Sequence, residues 1–250
     1  MKGVLPLVLC SLVLLSGCVL KAELNPSDDL SDSNDVNVVV LDEPQTSLAV
    51  IGTPSSELKD LLDGQAAKGE NITFKVFETN EVGVDSLKEY NEILVVSNPV
   101  TRGVTEEISR RVELGASLVL VRDAAYTESE GRYAWDVLNA NGNYLPVQTL
   151  GRIGEPLEYY EVIGTLQRSQ GTSDREIFAG YAGSERDWNI VLVQANTGVD
   201  KVGFIATTDE GLFDAVIVKR NISPAGATAW IAFQPEESEV VFLNLLASLK

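Results

Sequence analysis

Residues 91–121, NEILVVSNPVTRGVTEEISRRVELGASLVLV, decide the fold. Glu92 to Ser97 is an apolar run too short for a stable helix, and it reads as a buried strand. Asn98-Pro99 stops it, because proline offers no N–H to a ladder and asparagine favours turns. From Thr105 the pattern changes period. Ile108, Val112 and Leu114 lie on one side of a predicted helix, with Thr105 as its cap and Glu106-Glu107 at the end where negative charge is favourable. Gly115-Ala116 ends that helix, and Ser117-Leu118-Val119-Leu120-Val121 is a second buried strand. Two continuous apolar strands joined by a helix imply parallel pairing through a right-handed crossover.

The same alternation extends towards the N-terminus. Ser47 to Ile51 reads as a strand ending at Gly52-Thr53-Pro54, Ser56 to Ala67 as a helix carrying Leu58, Leu61 and Leu62, and Ile72 to Phe77 as a strand. A short helix is expected around Val84 to Tyr90. Past Asp123 the pattern loosens into an aromatic-bearing segment with Tyr126, Tyr133 and Trp135, in which Trp135, Val137 and Leu138 suit a short helix. The chain then becomes richer in strands: Leu157 to Leu166, Trp188 to Gln194, Val202 to Thr207 and Ala215 to Lys219, with Asp209-Glu210-Gly211 as the turn between the last two. Ala227 to Phe233 is a further strand, and Ser238 to Leu249 a closing helix with Val241, Leu245 and Leu249 at helical spacing. No internal repeat is visible. The class is α/β, with helices expected on both faces of the sheet.

Composition fits a globular domain, with 44% hydrophobic and 22% charged residues and a formal charge of −18. Such a charge repels nucleic acid and anionic headgroups, so neither is an expected direct partner. Histidine is absent and only Cys10 and Cys18 are present. Ser-His and Cys-His catalysis and an ordinary zinc site are thereby excluded, which leaves carboxylates, lysines or tyrosines for any chemistry. No metal or cofactor is expected. Gly180-Tyr181-Ala182-Gly183 is too short for a phosphate loop.

Lys2, the apolar run Val4 to Leu15 and Leu15-Ser16-Gly17-Cys18 resemble a lipoprotein signal peptide with its lipobox. The apolar run is about half the ~20 residues of a bilayer-spanning helix. The resemblance implies cleavage after residue 17, a lipid on Cys18, and a protein held at the extracytoplasmic face of the cell membrane. Losing Lys2 takes the mature chain to −19 and leaves it no free thiol. Residues 18–46 are polar and acidic and read as a flexible tether with a reach of about 30 Å. Their run DDLSDSND lacks the glycine and closing glutamate of a calcium loop. The organisation expected is 1–17 signal, 18–46 tether and 47–250 folded domain. Asn71-Ile72-Thr73 and Asn221-Ile222-Ser223 are glycosylation acceptor patterns compatible with export.

The order of elements from Leu48 to Asp123, with NEILVVSNP, TEEISRRVELGASLVLV and the ending AWIAFQPEESEVVFLNLLASL, resembles the class I glutamine amidotransferase-like superfamily, and within it the non-enzymatic members of membrane-associated and secreted proteins. The likeness covers about 100 residues at the two ends of the domain. It implies a three-layer flavodoxin-like, mostly parallel sheet, here with a more β-rich C-terminal half. The amidotransferases use a cysteine nucleophile and a histidine, and the mature chain has neither, so the fold is expected to carry over and the glutaminase activity is not.

Open α/β sheets bind ligands at the carboxyl ends of their strands. The binding candidates are therefore Ser56, Asn98 and Asp123, within 53–56, 97–98 and 122–123. Ser56-Glu57-Leu58-Lys59 also spells a serine-x-x-lysine nucleophile, without its companion motifs and at a place where a helix cap accounts for the serine. Glu106-Glu107, Glu128 with Glu130, and Glu236-Glu237 are the carboxylate pairs a glycosidase would need, though neighbouring acids ordinarily coat a solvated surface. The expectation is a lipid-anchored, non-catalytic binding or interaction domain whose partner is an envelope protein or extracellular ligand. Its rivals are a carboxylate- or serine-dependent hydrolase of an extracellular polymer and a receptor for a small sugar or peptide.

Overall fold

A computed structural model describes residues 46–68, 72–96, 101–125, 135, 138, 143–148, 159–170, 175–208 and 211–250. Cys18, Asn71, Asn98, the segment around Tyr126 and Tyr133, and the expected helix at Val137 lie outside these residues. Nine strands form one mixed sheet: β1 (Thr46–Ile51), β2 (Ile72–Phe77), β3 (Glu92–Val95), β4 (Ser117–Val121), β5 (Tyr159–Arg168), β6 (Glu185–Val191), β7 (Asp200–Thr207), β8 (Leu212–Lys219) and β9 (Thr228–Ile231). Among the described residues three helices of ten or more residues accompany them, α1 (Ser56–Ala67), α2 (Arg102–Glu113) and α3 (Glu239–Ser248).

The strand order is β2-β1-β3-β4-β9-β8-β7-β5-β6. From β2 to β9 every pairing is parallel; from β9 to β6 every pairing is antiparallel. The expectation of a mostly parallel sheet is therefore corrected: the halves are equal, and the chain's last strand, β9, is the seam. It lies beside β4, 110 positions earlier at the register Leu120↔Trp230, and beside β8 at Ile217↔Trp230. Parallel strands need a crossover connection, whereas antiparallel neighbours close through short turns, so the strand-rich segment after β4 builds its own meander and re-enters at β9.

The core follows from the apolar runs. Leu48, Val50, Ile93, Leu94, Leu118, Leu120 and Trp230 are buried, with Leu58 and Leu62 of α1 and Ile108 and Val112 of α2 against them. One acid interrupts this interior. Glu92 at the start of β3 is only 2% exposed, and neither carboxyl oxygen has a hydrogen-bond partner among the described residues. Burial pushes its carboxyl up to about 7, with Lys250 opposing the shift.

Two local expectations are corrected. Val84 to Tyr90 is not a helix but a succession of turns closed by i→i+3 bonds from Ser86 N to Gly83 O, Lys88 N to Asp85 O and Tyr90 N to Leu87 O. Asp85 stands at φ 64, which no right-handed helix accommodates, and its carboxylate is held by Arg110 of α2 at 2.9 Å. Helix α2 begins at Arg102, three residues before the expected cap. Thr105 lies inside it with its hydroxyl donating to Arg102 O at 3.0 Å, and Leu114 is 67% exposed rather than packed. The turn at Gly115-Ala116 does require its glycine, and the loop packed on it requires another. Gly115 has φ 104, and a Cβ on Gly226 would stand 2.1 Å from Ala116 O, so the β8–β9 loop packs directly on the end of α2.

Candidate functional site

The carboxyl ends of β1, β4 and β9 carry polar side chains that meet. After β1, the cap of α1 is Ser55 and not Ser56: its Oγ accepts from Leu58 N at 3.0 Å and donates to Glu236 Oε1 at 2.6 Å. Glu236 belongs to the turn Pro235–Ser238 that follows β9, so this hydroxyl ties the first strand's exit to the last strand's. Ser56 is exposed, and its hydroxyl donates to Glu57 Oε2 at 3.0 Å; Lys59 is exposed as well. The serine-x-x-lysine spelling thus falls on a solvated helix surface.

After β4, Arg122 is the first residue of the next turn and has φ 47. A left-handed conformation is costly for a residue with a Cβ and persists only where the surroundings impose it. Here the indole of Trp230 donates to Arg122 O at 2.9 Å, fixing the turn to the seam strand. The guanidinium lies 5.0 Å from the centre of the Tyr159 ring, and Arg122 Nε is buried without a hydrogen-bond partner among the described residues. Asp123 is half-buried and accepts the Tyr159 hydroxyl at 2.9 Å. Partial burial, then this bond to a carboxylate, pushes the Tyr159 phenol up to about 12.

Glu237 completes the cluster. Its carboxylate accepts Gln234 N at 2.6 Å, in a capping box that starts the turn after β9, and its carbonyl accepts from Arg186 of β6. Burial raises its carboxyl above the usual range, against the opposing charges of Arg122 and Arg186. Arg186 also lies 5.1 Å from the centre of the Trp188 ring. The parallel strands therefore supply Ser55, Arg122, Asp123, Glu236 and Glu237, and the antiparallel strands supply Tyr159 and Arg186.

Of the sequence-derived candidates, Asp123 enters this cluster, Ser56 does not, and Asn98 lies outside the described residues. Asn221 sits beyond β8 with its amide nitrogen donating to Gly226 O at 2.6 Å, and Ile222 beside it is exposed. Tyr159 and Arg186 have no local signal: they reach the site only because β9 inserts beside β4 and β5 crosses the same end, where they meet Glu236-Glu237, one of the carboxylate pairs visible in the sequence. Gln234-Pro235-Glu236-Glu237, with proline at a helical first position and a glutamate two residues on, is a readable turn start, but its place in the sheet is not. Among the described residues no group of three or more Asp, Glu, His or Cys is arranged to hold a metal ion.

No protein-family model matches the sequence, and no curated protein does either. Solved structures do match in fold. A cytoplasmic protein from Salmonella typhimurium LT2 aligns with a TM-score of 0.60 at 12% identity, over 82% of this chain and 100% of that one. A ThuA-like protein from Bacteroides uniformis aligns at 0.53 and 14% identity, over 82% and 88%. A cold-adapted β-galactosidase from Rahnella sp. R3 aligns at 0.50 and 14% identity, over 82% of this chain and 31% of the enzyme. At these identities the likeness is one of fold. The chain carries a mixed α/β fold of the kind these proteins share.

Proposed function

We propose that this chain is an exported, lipid-anchored protein whose α/β domain binds a ligand or partner at the carboxyl ends of its parallel strands without catalysing a reaction on it. The observation that carries the reading is Arg122. A strained turn directly after a central strand is where strand-to-helix nucleophile elbows hold a reactive serine. Here the residue at that turn is an arginine, with an unpaired buried N–H and a tyrosine against its guanidinium face. Guanidinium, phenol and carboxylate together suit recognition of a ligand with both donors and acceptors. The absence of histidine and of any cysteine beyond residue 18 agrees with this. The proposal takes the domain as a non-catalytic, three-layer member of the amidotransferase-like superfamily. The parallel order β2-β1-β3-β4-β9 is the flavodoxin-like order, and right-handed crossovers leading in opposite directions from β1 and β3 put α1 and α2 on opposite faces.

A second reading has its own support in Glu237. A carboxyl raised by burial, with Arg122 and Arg186 as its charged neighbours, is a pattern used for general acids, and a β-galactosidase is among the proteins of similar fold. One set of measurements separates the two. The full-length protein is screened with small sugars and peptides for thermal stabilisation, which for a native-state ligand follows RT ln(1 + [L]/Kd). It is assayed in parallel with chromogenic glycosides. Binding expected of the non-catalytic reading is saturable and is weakened at least tenfold by Arg122→Met and by Tyr159→Phe, with no turnover. Turnover abolished by Glu237→Gln in a folded protein would overturn it in favour of the hydrolase. Release of a Cys18→Ser form from the membrane fraction tests the anchor.

A further inference from the structure

The amino ends of the parallel strands form the opposite face of the domain from the strand-end cluster. The chain enters the domain there. β1 starts at Thr46, Asn91 Oδ1 accepts Ser47 N at 2.9 Å, and Ser47 Oγ donates to Glu89 O at 2.9 Å, so the entry point lies against the turn that leads into β3. That turn abuts the end of α2, where Arg111 donates to Lys88 O at 2.8 Å. The end of α2 meets the β8–β9 loop, whose Gly226 N donates to Val112 O at 2.8 Å. A groove of about 220 Å³ opens along this seam, with Lys88, Glu89, Tyr90, Arg111 and Leu114 in its lining. Entry strand, groove and loop are therefore one continuous surface.

Two features of this surface suit a lipid headgroup layer. Leu114 at the end of α2 is 67% exposed, and Ile222, in the loop packed on that end, is 91% exposed. One exposed apolar side chain is ordinary, but two large ones on abutting segments beside an open groove form apolar surface left in water. The charge around them departs from that of the whole chain. Lys88, Arg111 and Arg220 stand here against Glu89 and Glu113, whereas the sequence has 37 acids to 19 bases. Cations near a helix end are favourable in themselves. Cations interleaved with exposed leucine and isoleucine and a half-buried tyrosine are the combination that lies in a membrane interface. The acidic net charge does not oppose this, because charges more than about 8 Å apart are largely screened at physiological ionic strength and a headgroup meets the local balance. We propose that this amino-end face rests on the anionic phospholipid headgroups of the membrane. A headgroup phosphate is drawn to Lys88 and Arg111 at the groove, Leu114 and Ile222 reach the acyl boundary, and the strand-end cluster is turned away from the bilayer. Only the nearness of the membrane comes from the lipid-anchor reading: a tether entering at Thr46 presents this face first and keeps a weak contact at high local concentration.

The test is vesicle flotation of residues 18–250, the chain left by cleavage at the lipobox, carrying Cys18→Ser so that no lipid holds it. Binding to vesicles of equal parts phosphatidylcholine and phosphatidylglycerol is expected at least fivefold above binding to phosphatidylcholine alone. Leu114→Ser combined with Ile222→Ser, and separately Lys88→Glu, should each weaken it at least fivefold without lowering the melting temperature, since these side chains are exposed. This chain has no cysteine, so an environment-sensitive dye placed at Ile222→Cys, or at Ser56→Cys on the opposite end, reports orientation. With the mixed vesicles its emission should shift to the blue at Ile222→Cys and stay unchanged at Ser56→Cys. The proposal is overturned if the mixed vesicles do not float the protein, if the substituted forms bind as the parent does, or if the dye shifts at Ser56→Cys or fails to shift at Ile222→Cys. Thermal stabilisation by soluble glycerol phosphate without flotation would mark a small-anion site and overturn it as well. No lipid is attached in this assay, so its failure leaves the anchor reading standing, and release of the full-length Cys18→Ser form from the membrane fraction decides that reading separately.

Discussion

The inner strands of the parallel half and the outlying strand β5 of the antiparallel half are buried in different ways. In the parallel half, β3, β4 and β9 are buried at every position, from Glu92 to Val95, Ser117 to Val121 and Thr228 to Ile231. In the antiparallel half, β5 alternates, with Val162, Gly164 and Leu166 inward while Tyr159, Glu161 and Ile163 stay exposed. A strand covered on both faces needs an apolar residue at each position, and a strand covered on one face needs it at every second. The difference separates stability from recognition. Most of the core lies in the parallel half, while the half-wet antiparallel strands can spend Tyr159 and Arg186 on the strand-end cluster. The two meet at β9, whose Trp230 packs between the halves and holds the Arg122 turn.

That seam is where the largest effect is expected. Trp230→Ala removes a fully buried indole and its bond to Arg122 O, and it should cost about 3–5 kcal/mol in denaturant unfolding. It should also free the turn that positions the cluster. Retained stability would mean that the halves are only loosely joined.

The buried acid of the parallel half is next. Glu92 has a folded value of about 7 against an ordinary 4.5, so its neutral form is favoured in the folded state. Its contribution is fully present below pH 4.5 and is lost as pH rises through 7. The linkage is worth about 3 kcal/mol. The difference between the stability–pH curves of the parent and Glu92→Gln should change by that order between pH 4.5 and 8, with the parent losing ground as pH rises. Parallel curves would show that Glu92 is solvated.

The smallest effect is expected on the outer face of β5. Ile163 is 61% exposed, so Ile163→Thr should shift stability by less than about 0.5 kcal/mol. A larger loss would reveal that this face is covered and would break the contrast between the halves.

Legibility follows the same division. The uniform apolar runs at Ser47 to Ile51, Glu92 to Val95 and Ser117 to Val121 were readable because burial on both faces leaves a continuous signal. The ends of β5 and β6 lay a few residues away from where their weaker alternation put them. Asp123 was found by the rule that ligands gather at strand ends, but its partner Tyr159 lies 36 residues on and carries no mark of the contact. The helix cap fell on Ser55 and not Ser56, since two adjacent serines are equivalent until backbone geometry chooses one.

The sequence by itself determined the alternation of strands and helices through α2 and β4, the absence of histidine and cysteine chemistry from the folded domain, and its acidic charge. Composition and hydrophobic period are local properties, and local properties survive in a one-dimensional string. The tertiary structure alone decided that β9 inserts between β4 and β8, that the sheet is half antiparallel, and that Ser55, Arg122, Tyr159 and Glu237 share one end of it. Those outcomes depend on which strand edges pair across more than a hundred residues. That choice is made by the burial of Trp230 and its neighbours from both sides at once, and no segment encodes it alone.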